Sequence, residues 1–128
     1  MKNKIALIVL SGLTLGIYSC TKDHASKSVS IDCTAVTSAD NTYNNRIGAI
    51  LNNSCGTGPG CHDIDNYQGN GNIRFDTYQT AKESFQNKPT LCTIKQESGC
   101  LPMPQGAPKL ADSLITYLQC WAENGYAQ

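Results

Sequence analysis

The chain has 128 residues, ten Lys plus Arg against ten Asp plus Glu, and seven cysteines. That length accommodates one small domain, and balanced charge without a basic patch argues against a nucleic-acid binder.

Residues 1–19 read as an export signal. Lys2 and Lys4 give a positive start, and "IALIVLSGLTLGI" is an almost unbroken apolar run too short to span a membrane. It ends in "IYSC", with Ile17 three places before Cys20 and small Ser19 adjacent. This resembles a bacterial lipobox, although Tyr18 stands where a small residue is usual. The resemblance implies cleavage before Cys20, whose acyl chains would then hold the protein on a membrane. A plain secreted protein cut elsewhere is the other reading. Residues 20–31, containing "TKDHASKSVS", are polar and Ser/Lys-rich, as expected of a tether. His24 within it reads as solvated. The folded domain is then 32–128, and loss of Lys2 and Lys4 leaves eight basic against ten acidic residues, a charge of −2.

Three helices are predicted in chain order. "NTYNNRIGAILNN" places Tyr43, Ile47, Ile50 and Leu51 on one stripe, with Asp40 as N-cap and "NNSCG" as terminator. "DTYQTAKESFQNKP" starts with Asp76 as N-cap and Gln79 three residues on, a capping-box pattern, with Tyr78, Ala81 and Phe85 as its apolar face. "KLADSLITYLQCWAENG" aligns Leu110, Leu114, Ile115, Leu118 and Trp121, carries Asp112 in its first turn and stops at Gly125. No strand pattern competes, so the fold class is all-α, with the first and last helices packed together.

Large aliphatics are scarce: residues 33–128 contain 15 Leu, Ile, Val and Phe among 96. Chains this poor often do not fold unaided, so a cofactor, disulfides or both are needed. Beyond Cys20 there are Cys33, Cys55, Cys61, Cys92, Cys100 and Cys120. An oxidising compartment permits three disulfides, or two disulfides plus two thioethers to a haem.

"SCGTGPGCHD" (54–63) poses that choice directly. A c-type haem takes two cysteine sulfurs on its vinyl groups and an imidazole on one face of its iron. Cys61-His62 places the imidazole beside a cysteine, with Cys55 six positions earlier. Haem attachment is usually spelled C-x-x-C-H; here five residues separate the cysteines. Gly56, Gly58 and Gly60 give the expanded loop the freedom to bulge. A single thioether through Cys61, or a small disulfide ring between Cys55 and Cys61, are the alternatives. Apart from Met1, Met103 is the sole methionine, and it stands between Pro102 and Pro104 in "CLPMPQGAP". Its thioether suits the second axial position of haem iron.

The order of helix, "CH", middle helix, "MPQG" and final helix with Trp121 resembles the class I cytochrome c domain. More specifically it resembles the single-haem, lipoprotein-anchored cytochrome c-like proteins common in Bacteroidetes. The likeness covers residues 40–126, and "LPMPQGAPKLADSLITYLQCWAENGY" is its more specific half. It implies three main helices around one covalent haem c. Cys55 and Cys61 would be its attachment points, with His62 and Met103 the axial ligands. Trp121 would pack near the haem.

The other four cysteines read as structural. Cys92 and Cys100 bracket the turn before Met103, and pairing them would restrain that loop; Cys33 and Cys120 would then join. Four cysteines allow three pairings. A zinc site lacks paired ligand spacing. Asp63, Asp65, Glu97 and Glu123 read as surface charges, and Tyr43, Tyr67 and Tyr78 as candidates to line a haem pocket.

The expectation is therefore an electron carrier, not an enzyme. It would be lipid-anchored in the cell envelope, facing the periplasm or cell surface. Its partners would be redox proteins, with no nucleic acid and no small-molecule substrate. The alternative is a haem-free, disulfide-stapled lipoprotein serving as a binding or structural module.

Overall fold

Four α-helices arise from these segments in the computed structural model, which describes residues 31–56 and 61–128. They are α1 (Gly48–Cys55), α2 (Tyr78–Asn87), α3 (Thr90–Lys95) and α4 (Asp112–Glu123). The export signal, Cys20, all but the last residue of the tether, and spacer residues 57–60 lie outside the described residues. No strand occurs among the described residues, so the fold is all-α. No helix among them is long and apolar enough to cross a membrane.

The first helix opens differently from its prediction. Asp40 is not its cap, because its carboxylate accepts from the Thr37 hydroxyl at 2.8 Å. Thr42 takes that place in extended backbone, its hydroxyl accepting from the Asn45 amide. The first turn, Tyr43–Ile47, is a wider π-turn, closed by the Gly48 amide on the Tyr43 carbonyl. A Cβ on Gly48 would stand 3.0 Å from that carbonyl and 3.2 Å from the Tyr43 ring. Glycine therefore lets the ring lie against the helix. The amides of Tyr43 and Asn44 donate to the carbonyls of Ala127 and Gln128. The distant tail thus satisfies helix-terminal donors that would otherwise be orphaned.

The second helix starts one residue later than predicted. Arg74 engages both Asp76 oxygens, Nε at 2.9 Å and Nη2 at 2.6 Å, so that carboxylate is already committed. Thr77 caps instead, in a reciprocal box with Thr80 rather than with Gln79. The three-helix expectation missed α3, which has only six residues. Ile94 and Thr90 are its buried positions, and the Thr90 hydroxyl donates to the Ser84 carbonyl of α2. That is too short for a periodic pattern to register.

Helix α4 buries Ile115, Leu118, Cys120 and Trp121. Leu110 is buried but precedes the helix, and Gly125 turns the chain at φ +85°. Trp121, fully buried, meets Phe85 edge-on at 5.4 Å, Tyr126 at 5.0 Å and Tyr43 at 6.2 Å. Such ring contacts add about 0.5–1.5 kcal/mol each beyond area burial. The first and last helices do pack together: Ile47, Leu51, Leu118 and Trp121 share one core, and the Asn41 side chain donates to the Tyr117 carbonyl at 2.9 Å.

Candidate functional site

The structure divides the six domain cysteines into four and two. Cys33 pairs with Cys120 and Cys92 with Cys100, their Cα atoms 5.4 and 5.9 Å apart. These are the partners preferred on sequence grounds. Cys55 and Cys61 remain thiols.

Those two thiols both precede the histidine in the chain. Cys55 is the last residue of α1 and packs against the core, while Cys61 and His62 follow the spacer. The His62 amide donates to the Cys55 carbonyl at 3.0 Å, so the ends of the five-residue spacer are pinned together despite its length. Burial pushes the Cys55 thiol up to about 12, and the neighbouring Cys61 adds to the shift. Cys55 is therefore held as a neutral thiol.

His62 is fixed by the turn that follows it. Its Nδ1 lies 3.1 Å from the Ile73 carbonyl. A carbonyl can only accept, so Nδ1 carries the proton and the Nε2 lone pair is left for a metal. The His62 carbonyl accepts from the Phe75 amide at 3.3 Å, and the two rings meet edge-on at 5.4 Å. Phe75 in turn contacts Phe85, which contacts Trp121, so the histidine is supported from the core.

Asp63 is more than a surface charge. One of its oxygens accepts from the Asp65 and Asn66 amides and from the Asn66 side chain, shaping the turn directly after His62. Asn70 adds a bond to the Cys61 carbonyl at 3.3 Å. Sequence reasoning missed Ile73, Asn66 and Asn70; the turn-forming run "NYQGNGN" was the available signal.

Met103 has a separate support. Its amide donates to the Thr93 carbonyl at 3.0 Å, and the Gln96 side chain donates to its carbonyl at 3.3 Å. Its backbone is therefore held on α3 rather than on the Cys55–His62 segment. The Cys92–Cys100 disulfide closes the intervening turn.

Two of the three tyrosines proposed for the pocket are occupied elsewhere. The Tyr43 hydroxyl donates to the Phe75 carbonyl and that of Tyr78 to the Tyr126 carbonyl. Tyr67 lies under the Arg74 guanidinium, 5.0 Å away. Two surface cavities of about 240 and 300 Å³ are lined by Asn41, Arg46 and Tyr117 and by Tyr67, Arg74 and Lys88; neither includes His62 or Met103. Exposed Ile64 and Leu101 each lie two positions from His62 and Met103 respectively, and among the described residues are the large apolar side chains left most open to water.

Two thiols, an oriented imidazole and a thioether are the donor types that a covalently bound haem takes, the thioether being held on a different element from the other three. No family model matches the chain, and no curated protein or solved structure matches it either.

Proposed function

We propose that this chain is a membrane-anchored c-type cytochrome with one haem, transferring electrons in the cell envelope, its helices forming a cytochrome c-like fold. The observation that carries this reading is the environment of His62. The only domain cysteines left unpaired lie just before it in the chain, and its Nδ1 proton is held by a backbone carbonyl. Metal-binding histidines characteristically have such an outer partner, which fixes ring orientation and strengthens the nitrogen donor.

When bound, haem iron supplies one-electron chemistry between its ferric and ferrous states. Cys55 and Cys61 would hold the macrocycle, and His62 Nε2 and the Met103 sulfur would be the protein's ligands to its iron. A metal held by protein donors alone suits electron transfer to partner redox proteins rather than substrate chemistry. Exposed Ile64 and Leu101, each two positions along the chain from a donor, are consistent with the reading, because apolar side chains near a haem would gain cover from it. Retention of haem by the exported, denatured protein is the test.

A second reading has its own support. Trp121, Phe85, Phe75 and the aliphatics of α1 and α4 already make a continuous buried core without any cofactor. That favours a haem-free, disulfide-stapled envelope lipoprotein, in which Cys55 and Cys61 stay thiols or join each other.

A further inference from the structure

The turn that carries Met103 is held by very little besides one covalent bond. Gln96, Glu97, Ser98, Gly99, Leu101 and Pro102 are all exposed, so no core packing fixes them. Gln96 sits in left-handed backbone at φ +56°, a conformation unfavourable for a residue with a Cβ. The remaining ties are mostly exposed: Gln96 amide to Thr93 carbonyl, Glu97 amide to Cys92 carbonyl, Cys100 amide to Glu97 carbonyl, a Lys95–Glu97 ion pair at 3.6 Å, and the two bonds joining Met103 to Thr93 and Gln96. A segment with exposed hydrogen bonds and little apolar contact opens readily unless it is cross-linked.

The two disulfides differ in accessibility. Cys92 and Cys100 are both partly exposed, as is Cys33, but only the Cys92–Cys100 disulfide has neither partner buried. Cys120 is fully buried on α4 beside Trp121. Attack on its partner Cys33 would have to expel the Cys120 thiolate into an apolar interior, where it leaves slowly.

We propose that the Cys92–Cys100 disulfide is a redox-opened latch, so that its reduction releases the Met103 loop from α3 while Cys33–Cys120 stays closed. The co-reactant is an external dithiol. One of its thiolates attacks a Cys92 or Cys100 sulfur, the protein disulfide breaks and a mixed disulfide forms. The second thiol then displaces the protein sulfur. Two electrons and two protons pass to Cys92 and Cys100, and the dithiol becomes a disulfide. Release of the loop withdraws the Met103 thioether from the position where it would serve as a ligand. Only that last consequence rests on the haem reading.

The test is a titration of the full exported protein with dithiothreitol until the first disulfide opens. Alkylation and peptide mass identify which cysteines are freed, and amide hydrogen exchange follows Met103. With thiols already free, such as Cys55 and Cys61, blocked beforehand, the expected result is new alkylation at Cys92 and Cys100 while Cys33 and Cys120 stay joined, with Met103 exchange accelerated about ten-fold or more. If the protein carries haem, its methionine-ligand spectrum is lost in the same step. Opening of Cys33–Cys120 first or simultaneously overturns the proposal, as does a Met103 exchange rate unchanged on reduction. A protein without haem but with the expected exchange response would contradict the cytochrome reading and leave the latch standing.

Discussion

His62 Nδ1 and the Ile73 carbonyl oxygen lie 3.1 Å apart, across a turn of eleven positions that Asp63, Asn66 and Asn70 shape. The bond settles the direction of the imidazole before any ligand is considered. If that direction serves iron binding, loosening the turn should weaken the His62 donor without removing it. Asp63→Ala deletes the acceptor of the Asp65 and Asn66 amides. In haem-loaded protein it is expected to raise the reduction potential, because a weaker imidazole donor stabilises ferric iron less, while Asp65→Ala changes it less. Redox titration of the two variants checks this.

Met103→Ala distinguishes the two functional readings. With haem bound, loss of the thioether shifts the visible spectrum and lowers the reduction potential. In a haem-free module, Met103 is a half-buried loop residue, and its truncation costs only modest stability. Spectra and thermal melts of the same variant separate these outcomes.

The Cys33–Cys120 disulfide spans 87 positions of the chain. Replacing both cysteines with Ala should therefore cost about 4 kcal/mol through the freed unfolded state. Removing Cys92–Cys100, eight positions apart, should cost less, on the order of 2–3 kcal/mol. Denaturant melts of both double variants give the order directly.

Trp121 reports on the core. Trp121→Ala should destabilise by about 3–5 kcal/mol. Trp121→Phe keeps ring packing but loses the 2.8 Å bond from the indole nitrogen to the Ala127 carbonyl, whose absence costs about 0.5–1.5 kcal/mol. Because Ala127 also accepts the Tyr43 amide, the phenylalanine variant should increase exchange at the start of the first helix.

Much of this architecture was legible in the residue pattern, and the exceptions have definite causes. The stripe Ile47, Ile50 and Leu51 and the face Ile115, Leu118 and Trp121 mark buried positions because each repeats at helical spacing. Caps were misplaced where a nominal cap had a better partner: Arg74 claims Asp76, and Thr37 claims Asp40. Helix α3 was hidden by its length. The Ala127 and Gln128 carbonyls over the first helix, and Ile73 beside His62, are contacts made by backbone; side-chain identity carries no trace of them. The cysteines before His62 and Met103 between its prolines were conspicuous as residue types. Their supports, Thr93 and Gln96 for one and the Asn-rich turn for the other, emerge only from the folded chain.

The haem-free, reduced protein should show an unusual pH response at Cys55. Its thiol is pushed up to about 12, first by burial and then by Cys61, against about 8.5 for an ordinary cysteine. The folded state holds this proton more tightly than the unfolded chain does. Its stabilising contribution is thus full below the unfolded thiol pKa and is lost as pH rises toward about 12. Alkylation of Cys55 should keep accelerating above about pH 9; a rate that levels off there would contradict the buried-thiol arrangement.

The central claim is tested most directly by exporting the chain with a c-type maturation system and examining the mature protein. Its reduced spectrum in alkaline pyridine would be taken first, followed by its intact mass under denaturing conditions. The account predicts a haemochrome band, with haem mass retained after denaturation. The contradicting result is a colourless protein lacking the haem mass, six hydrogens lighter than its fully reduced form, with Cys55 joined to Cys61.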